Sequence, residues 1–411
     1  MHSLLLLSLV IAADTTTNWP QFRGPNGDGT ALTSTLPTTW SEKENVKWKT
    51  AIHTKDFRGW ASPVIWGDQI WLTDARNDGK EFYAVCLDKA TGKVVHDLKL
   101  LTEEKPAFCH AFNSYASPTP AIEAGRVYCH FGSHGTVCLD TAMGKPVWER
   151  KDLKCDHWRG PGSSPILYQD LLILCFDGHD VQFVIALNKS TGETVWKQDR
   201  NIKYKNPDGD YHKAYGTPSV ITVKGQEQLI APSAENTIAY EPKTGKELWR
   251  IATDGMNQSI KPILANDLIF LSAGHKSELL AVKAGKTGLL TPGDIVWSMK
   301  KEAPVRPSIL VLKDRVYMAN DKGIANCLDV KTGKNLWKER FDSEFSASPV
   351  SDGKNVYFCN QDGKTFVIAA SDDYTVVATN KLDAGCMASP AVSGNELFLR
   401  TKTHLYCIGT K

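Results

Sequence analysis

The residues in this sequence best suited to chemistry are histidines, arginines and aromatic side chains that occur at corresponding points along the chain. Histidine binds metals and exchanges a proton near neutral pH. Arginine holds carboxylates through paired hydrogen bonds, and Trp and Tyr add flat contact area with a polar tip. The candidate set is Arg58, Trp60, His110, Tyr115, His157, Arg159, Asp177, Asp180, His212, Tyr215 and Arg306.

Two groups of polar residues carry the oxygen ligands that Ca²⁺ takes. They are Asp177 with Asp180, and Asn206, Asp208 and Asp210. The alternate triplet lacks the glycine that an EF-hand places at its sixth position, and Thr217 stands where that loop needs a bidentate Glu. We therefore interpret the triplet as a turn held by Asx hydrogen bonds. Weak Ca²⁺ binding by Asp177, Asp180, Asp208 and Asp210 is the alternative.

Other catalytic and metal motifs are weak or missing. Cys109-His110 and Cys155-x-His157 pair a thiol with an imidazole, both of which ligate zinc, but a shared site would require the two loops to meet. There is no GxSxG or HExxH motif, and the Gly-rich segment 24–29 precedes no predicted helix. The sequence thus predicts no catalytic residue.

Charge balance restricts the partners. The 48 Lys and Arg residues against 46 Asp and Glu residues give a net charge of +2, without a long block of one sign. A protein that binds DNA or RNA as its main partner needs a basic stripe to displace counterions from phosphates. We therefore expect no nucleic-acid partner.

The longest apolar run lies at the N-terminus, over residues 4–13. It is too short to span a bilayer and is typical of a secretory signal, with small residues at Ala12 and Ala13 for cleavage. We assign residues 1–13 as a signal peptide and expect a periplasmic or secreted protein without a transmembrane span. A misplaced start or a buried N-terminal strand is the alternative.

An internal repeat determines the predicted architecture. An X-Pro pair opens an apolar run eight times, with steps of 41 to 55 residues between prolines. The pairs are Ser62-Pro63, Ser117-Pro118, Ser164-Pro165, Thr217-Pro218, Lys261-Pro262, Arg306-Pro307, Ser348-Pro349 and Ser389-Pro390. Each pair is followed by a short apolar strand such as 171–178, and most repeats then contain a Gly-turn segment ending in Trp, such as 186–196. The spacing predicts four strands per repeat, which is typical of a propeller blade.

The two ends of the chain complement each other. After Pro390 only three strands remain, and the segment 45–50 supplies a fourth that has no other partners. Pairing them closes the ring and removes an exposed sheet edge. The sequence therefore predicts an all-β protein, an eight-bladed β-propeller of four-stranded antiparallel blades over residues 45–411, with 14–44 as an N-terminal lead-in. Seven or nine blades would leave one repeat unused or require an extra one.

The strand order also sorts the loops. We label the strands of each blade A to D from the X-Pro strand onward. The D–A loops between blades and the B–C turns within blades then lie on one side, here named the D–A face. Eight histidines fall on it and none on the opposite face: His53, His110, His134, His157, His179, His212, His275 and His404. We expect this face to bind the ligand.

The repeat resembles a known family. The pattern SP-x-V, G-x-V-Y and A-L-D-x-x-T-G-K-x-x-W is similar to the pyrroloquinoline-quinone (PQQ)-type β-propeller repeat of quinoprotein alcohol dehydrogenases and of the propeller scaffold in outer-membrane β-barrel assembly. Residues 18–29, 159–167 and 386–409 resemble a bacterial subgroup of secreted single-propeller proteins. In this resemblance the Trp docks one blade on the next and the Gly makes a turn, so the motif implies the fold more than an activity.

Departures from the family decide the functional expectation. The quinoprotein dehydrogenases carry an adjacent Cys-Cys pair beside the quinone, and this sequence has no two consecutive cysteines. We expect a monomeric, non-catalytic propeller without a cofactor that binds a protein, peptide or glycan. The alternative is a PQQ-dependent alcohol or sugar oxidoreductase with Ca²⁺, in which Arg159 or Arg306 pairs the quinone carboxylates and Asp177 or Asp180 assists.

Overall fold

Eight antiparallel sheets form a closed ring in the computed structural model, which describes residues 17–32 and 34–410. Seven sheets have four strands, and one has a fifth. The predicted eight-bladed propeller is confirmed. The predicted signal peptide, residues 1–13, lies outside the described residues. Within the described ranges, no helix is long and apolar enough to cross a membrane.

Each blade contributes its strands in chain order from the axis outward. The chain begins with β1 (Val46–Ala51), followed by blade 1, β2 (Val64–Trp66), β3 (Gln69–Ala75), β4 (Glu81–Asp88) and β5 (Val94–Thr102), and blade 2, β6 (Ala121–Glu123), β7 (Arg126–His130), β8 (Thr136–Asp140) and β9 (Lys145–Arg150). Blade 3 has β10 (Ile166–Tyr168), β11 (Leu171–Asp177), β12 (Gln182–Asn188) and β13 (Thr194–Asp199), and blade 4 has β14 (Ser219–Val223), β15 (Gln226–Pro232), β16 (Asn236–Tyr240) and β17 (Glu247–Ala252). Blade 5 has β18 (Ile263–Ala265), β19 (Leu268–Ser272), β20 (Glu278–Lys283) and β22 (Ile295–Lys300), while β21 (Gly288–Leu290) joins blade 4. Blade 6 has β23 (Leu310–Leu312), β24 (Arg315–Ala319), β25 (Ile324–Asp329) and β26 (Asn335–Arg340), blade 7 has β27 (Val350–Ser351), β28 (Asn355–Cys359), β29 (Lys364–Ala369) and β30 (Val376–Lys381), and blade 8 has β31 (Ala391–Ser393), β32 (Glu396–Arg400) and β33 (His404–Ile408). Short 3-10 helices span Gly132–His134, Gly209–His212, Gly274–Lys276 and Pro292–Asp294.

The N-terminal strand closes the ring. Strand β1 pairs antiparallel with β33, with Trp48 opposite Cys407 and Ala51 opposite His404. It forms the outer strand of blade 8, in the order β1-β33-β32-β31. The predicted pairing of the two ends is confirmed.

The tryptophans of the repeat dock neighbouring blades. The Trp148 indole nitrogen donates to the Lys189 carbonyl of the next blade at 2.9 Å. Gly192 lies beneath this ring with φ of +77°, and a Cβ there would be 2.8 Å from the indole. The same donor-to-carbonyl contact joins Trp48 to Lys89, Trp196 to Pro242 and Trp297 to Val330. A glycine is thus required at this turn by the close approach of a neighbouring blade as well as by its backbone conformation.

Other junctions depart from this arrangement. In blade 4 the Trp249 indole nitrogen donates to the Gln228 side-chain oxygen of its own blade at 2.9 Å. In blade 1, His96 replaces the Trp, stacks on Trp71 at 5.7 Å and lies over Gly144. Blade 7 lacks the glycine, and there Trp337 contacts Tyr374 at 5.3 Å without a hydrogen-bond partner for its indole nitrogen among the described residues.

A ring of hydrogen bonds joins the blades at the axis. In seven junctions, the backbone N–H at the start of one inner strand donates to a Ser or Thr hydroxyl of the next blade at 2.8–3.0 Å. The hydroxyls belong to Ser62, Thr119, Ser164, Thr217, Ser308, Ser348 and Ser389. We refer to them as the axial hydroxyl ring.

The ring corrects the predicted register in two blades. The sequence pattern placed Ser117 and Arg306 at the repeat position, whereas Thr119 and Ser308 occupy it in the structure. Blade 2 contains two X-Pro pairs in succession, and blade 6 has its proline one residue before the hydroxyl. The predicted inner strands of blades 2 and 6 therefore begin two residues before the observed ones.

The lead-in segment fills the channel rather than lying outside the propeller. Residues 17–32 bond to the free inner edges of the A strands, with Trp19 paired to Ile65 and the Pro20 carbonyl accepting from the Ile122 amide. On the far side, the Ala31 amide donates to the Ser351 carbonyl at 2.7 Å. We call this segment the plug.

Arg23 anchors the plug across the channel. Its guanidinium is 1% exposed and donates to the carbonyls of Ile309 in blade 6 and Pro349 in blade 7. The following residues, 34–44, pack on blade 7, where Trp40 stacks on Tyr357 at 6.4 Å. The predicted lead-in therefore holds together blades that are distant from one another around the ring.

We predict that Ser348→Ala destabilises the fold by about 1–3 kcal/mol, since it leaves the buried Ser308 amide without an acceptor. The measurement is urea denaturation followed by tryptophan fluorescence. The exposed Ser190 provides the control, because Ser190→Ala should change the free energy of unfolding by less than about 0.5 kcal/mol. Equal effects of the two substitutions would contradict a stabilising role for the ring.

Lys261 interrupts the axial hydroxyl ring. It occupies the repeat position of blade 5 and is 3% exposed, and its side-chain ammonium forms no hydrogen bond or ion pair within the described residues. Its Nζ lies beside Gly27 of the plug. Burial, together with the nearby Arg23 charge, lowers the pKa of Lys261 to about 7.

The lowered pKa gives a stability profile with a definite sign. Between about pH 7 and pH 10 the unfolded chain binds a proton that the folded chain does not, so this group makes stability rise with pH across that window. Below about pH 7 Lys261 is protonated in both the folded and the unfolded chain, so burial of its charge lowers the stability by the full amount. We predict that Lys261→Met raises stability at pH 7 and removes this part of the rise, as measured by denaturation across the pH range. Lys243→Met, at an exposed lysine, should leave the profile unchanged.

Candidate functional site

A cavity of about 520 Å³ opens at the axis on the D–A face. The axial hydroxyl ring forms its lower wall, and Phe22 of the plug contributes to the lining. Because the plug occupies the channel below, the cavity is a blind pocket within the part of the chain that the structure describes. Its volume is in the range of sites that bind small molecules or single side chains of a partner.

Five of the candidate residues line this cavity. They are Trp60, His110, Arg159, Tyr215 and Arg306, and each comes from a different D–A loop. The structure therefore brings together loops that are up to 246 residues apart in the sequence, from Trp60 to Arg306. Trp60 is held by a hydrogen bond from its indole nitrogen to the Phe112 carbonyl at 3.1 Å. The Tyr215 hydroxyl donates to the His157 carbonyl at 3.2 Å.

The two arginines in the cavity differ in their pairing. Arg306 forms ion pairs with Asp321 and, at 3.6 Å, with Glu344, and its guanidinium lies 4.2 Å from the centre of the Phe112 ring. Arg159 has no ion pair within the described residues, and its Nε is buried without a hydrogen-bond partner. The positive charge of Arg159 is therefore the one among the lining arginines that the protein does not neutralise.

The backbone around Arg159 is held firmly. Its carbonyl accepts from the Asn113 side-chain amide at 2.9 Å, and the same amide donates to the Pro161 carbonyl at 3.0 Å. The preceding Trp158 has φ of +56°, a left-handed conformation that is uncommon for a bulky residue. These contacts fix the loop that carries the unpaired guanidinium.

Six candidate residues lie away from the cavity lining, and four of them have basic or aromatic side chains. The Tyr115 hydroxyl donates to the Ala107 carbonyl at 2.7 Å, and Arg58 donates to the Ala111 carbonyl. His212 stacks on Tyr204 with 3.9 Å between ring centres. His157 is buried beside Phe176, and burial lowers the pKa of His157 to about 4, so it is neutral at physiological pH.

The acidic candidates are engaged by the protein itself. Asp177 forms a buried ion pair with Arg200, at 2.6 Å and 3.0 Å, and also accepts from the Ser233 hydroxyl. Asp180 accepts from the Val181 amide in its own turn and from the Asp156 amide in the D–A loop before blade 3. Asp208 accepts from the Asp210 amide as an Asx turn requires, and Asp210 pairs with Lys213. Among the described residues, no group of three His, Cys, Asp or Glu side chains is placed to hold a metal ion.

Several lining residues were not in the predicted set. Phe112, Asn257, His275 and Asp321 lie beside the predicted ones. His275 had been placed on the D–A face, and Asp321 lies in the B–C turn of blade 6. The sequence places each of these residues in a D–A loop or a B–C turn. This position puts a residue on the D–A face but does not show whether its side chain points to the axis.

Comparison with protein families decides the family of this chain. A family model, PQQ_2, described as outer membrane protein assembly factor BamB, matches residues 26–198 and 180–411. The chain belongs to this family. The match covers nearly all of the propeller and agrees with the resemblance seen in the repeat.

The named relatives have different activities. The chain is 28% identical over 172 residues to methanol dehydrogenase [cytochrome c] subunit 1 of Methylobacterium organophilum, covering 36% of this chain and 25% of that protein. It is 24% identical over 263 residues to tetrathionate hydrolase of Acidithiobacillus ferrooxidans, covering 59% of this chain and 49% of that protein. The chain thus spans less than half the length of these two relatives.

A solved structure shows the same fold. The crystal structure of BamB from Moraxella catarrhalis aligns with a TM-score of 0.60 at 12% identity, covering 88% of this chain and 99% of that one. The names of the proteins similar to this chain include a dehydrogenase, a hydrolase and an assembly factor, so the similarity does not define the function.

We predict that Asp177→Ala destabilises the protein by about 3–5 kcal/mol, because it leaves the buried Arg200 unpaired. Asp199→Ala, at an exposed residue of the same blade, should cost less than about 0.5 kcal/mol. Thermal unfolding with and without millimolar Ca²⁺ distinguishes a structural ion pair at Asp177 from a Ca²⁺ site. A Ca²⁺-dependent rise in the midpoint that disappears in Asp177→Ala would instead support an ion site.

Proposed function

We propose that this protein is a non-catalytic binding propeller that receives a carboxylate-bearing segment of a protein or peptide in the cavity on its D–A face. The observation that carries the proposal is the unpaired guanidinium of Arg159, at a cavity where Arg306 is already neutralised. A guanidinium presents hydrogen-bond donors that match a carboxylate in geometry and charge. A neutral glycan would leave that charge uncompensated, so a protein or peptide is favoured over a glycan.

Exposed aromatic rings next to the cavity support a polypeptide ligand. Phe108, Trp158 and Phe112 are 58%, 46% and 37% exposed, and the Phe108 and Trp158 rings are 5.7 Å apart. Aromatic and arginine side chains are enriched at the centres of protein interfaces. A segment with an acidic residue beside apolar ones would pair with Arg159 and cover these rings.

The comparisons are consistent with a protein partner. The family description names an outer membrane protein assembly factor. Together with the expected signal peptide, it supports a periplasmic or secreted protein.

An oxidoreductase is the second candidate, favoured by the similarity to a methanol dehydrogenase subunit. Arg159 and Trp60 both line the cavity, and a guanidinium and an aromatic ring are groups that can bind a planar, carboxylated quinone. The residues do not fit Ca²⁺, because Asp321 is the acidic residue of the lining and is occupied by Arg306 and by the Val305 amide. The structure thus offers a partial fit to the quinone and none to its cation.

The test compares two peptide libraries with random flanking residues, one with a central Asp or Glu and the other with a central Asn or Gln. We predict that the protein enriches peptides of the acidic library over those of the amide library. Arg159→Gln should weaken binding about tenfold to a hundredfold, since a hydrogen bond to a charged group contributes about 1.5–3 kcal/mol. The measurement is capture on immobilised protein with mass spectrometry, followed by calorimetry on the enriched peptides. Equal enrichment of both libraries would contradict the proposal.

Two controls make the result specific. Arg315→Gln removes a partly exposed arginine on the opposite face, where Arg315 pairs with Asp372, and should leave peptide binding unchanged. Addition of PQQ and Ca²⁺ with an alcohol and an electron-accepting dye tests the second candidate. Stoichiometric uptake with turnover would overturn the non-catalytic assignment.

A further inference from the structure

Two buried thiols meet where blade 7 joins blade 8. Cys359 ends strand β28, and Cys386 lies in the D–A loop that leads into blade 8. They are 1% and 3% exposed and belong to one hydrophobic cluster. Both therefore pack in the same part of the core, between blades 7 and 8.

The backbone holds the two cysteines at close range. The Cys386 amide donates to the carbonyl of Asn360, the residue after Cys359, at 3.0 Å. Gly385 allows this approach, because a Cβ at that position would lie 1.6 Å from the Gln361 carbonyl oxygen. A tight backbone crossing therefore brings the two cysteines to neighbouring positions.

Other cysteines with distinctive positions lack such a partner. The Cys109 thiol donates to backbone carbonyls, including that of Arg159 at 3.6 Å, and the Cys155 thiol lies 3.8 Å from the His157 imidazole. Cys129 and Cys138 are on neighbouring strands but belong to separate core clusters. Cys359 and Cys386, in contrast, share one core cluster, and a hydrogen bond joins the backbone segments that carry them.

The thiolate is the form that attacks a disulfide, and both members of the pair are buried cysteines. Either thiol can therefore attack first, and the other then resolves the mixed disulfide.

We propose that Cys359 and Cys386 form a disulfide that fastens blade 7 to the loop leading into blade 8. The oxidant is a small-molecule disulfide such as oxidised glutathione. The thiolate of one of the two cysteines attacks one of its sulfurs and releases one glutathione thiolate, and the thiolate of the other cysteine then displaces the second. The two protein thiols are oxidised, the glutathione disulfide is reduced to two thiols, and the two protons pass to the glutathione thiolates or solvent. Because both cysteines are buried, the exchange takes place during folding or a local opening.

The cross-link would lie beside the ring closure. Blade 8 is the blade that β1 completes, so a bond from blade 7 to its leading loop restrains the sector where the two ends of the chain meet. A disulfide stabilises mainly by restricting the unfolded chain. The inference is independent of the proposed ligand.

The test is peptide mapping of the full-length protein refolded with oxidised and reduced glutathione. Trypsin without reductant should yield peptide 355–364 linked to peptide 382–400, each of which contains one cysteine. Reduction should separate them. The oxidised protein should unfold at a higher temperature than the reduced protein.

Variants keep the test specific. Cys359→Ser and Cys386→Ser should each abolish the linked peptide and the difference in unfolding temperature between oxidised and reduced protein. Cys175→Ser, at a buried strand cysteine without a thiol partner, should retain both. Recovery of both peptides unlinked from folded, oxidant-treated protein would overturn the proposal, as would linkage of either cysteine to a different one.

Discussion

Closure of the ring is the constraint on which the rest of this structure depends. Each blade buries both faces of its sheet against neighbours, so a missing blade or an unpaired terminal sheet would expose a hydrophobic face and an open edge. Three sets of contacts satisfy the constraint at different radii. The axial hydroxyl ring joins the inner strands, the Trp-to-carbonyl contacts join the outer parts of the blades, and β1 completes blade 8.

The exceptions to these contacts lie at particular junctions. Lys261 replaces a hydroxyl where the Thr217 amide would otherwise find its acceptor, and the same lysine lies against the plug. A buried ammonium without an ion pair is costly, and burial accordingly lowers the pKa of Lys261. The plug and the ring are therefore coupled at this residue. By filling the channel, the plug turns an axial passage into a cavity that opens on one face.

The cavity illustrates how charge distinguishes structural from functional residues. Asp177 and Arg200 neutralise each other in the core, and Arg306 is neutralised by Asp321 at the cavity. Arg159 is left with its charge exposed to the cavity, on a loop whose backbone is firmly held. A rigid loop that presents an unpaired cation is preorganised for an anionic group, since little ordering entropy remains to be lost on binding.

The sequence by itself determined the number of blades, the strand order within each, the closure by β1 and the face that carries the histidines, because a repeat records these features in local spacing. It did not determine the inner-strand register of blades 2 and 6, where neighbouring prolines made Ser117 and Arg306 resemble the repeat position that Thr119 and Ser308 occupy. Nor did it determine the path of residues 17–32 or the meeting of Cys359 with Cys386. Loops between blades have variable lengths and no period, so only the tertiary structure decided that Arg159 faces the cavity whereas Tyr115 and His157 turn into the core.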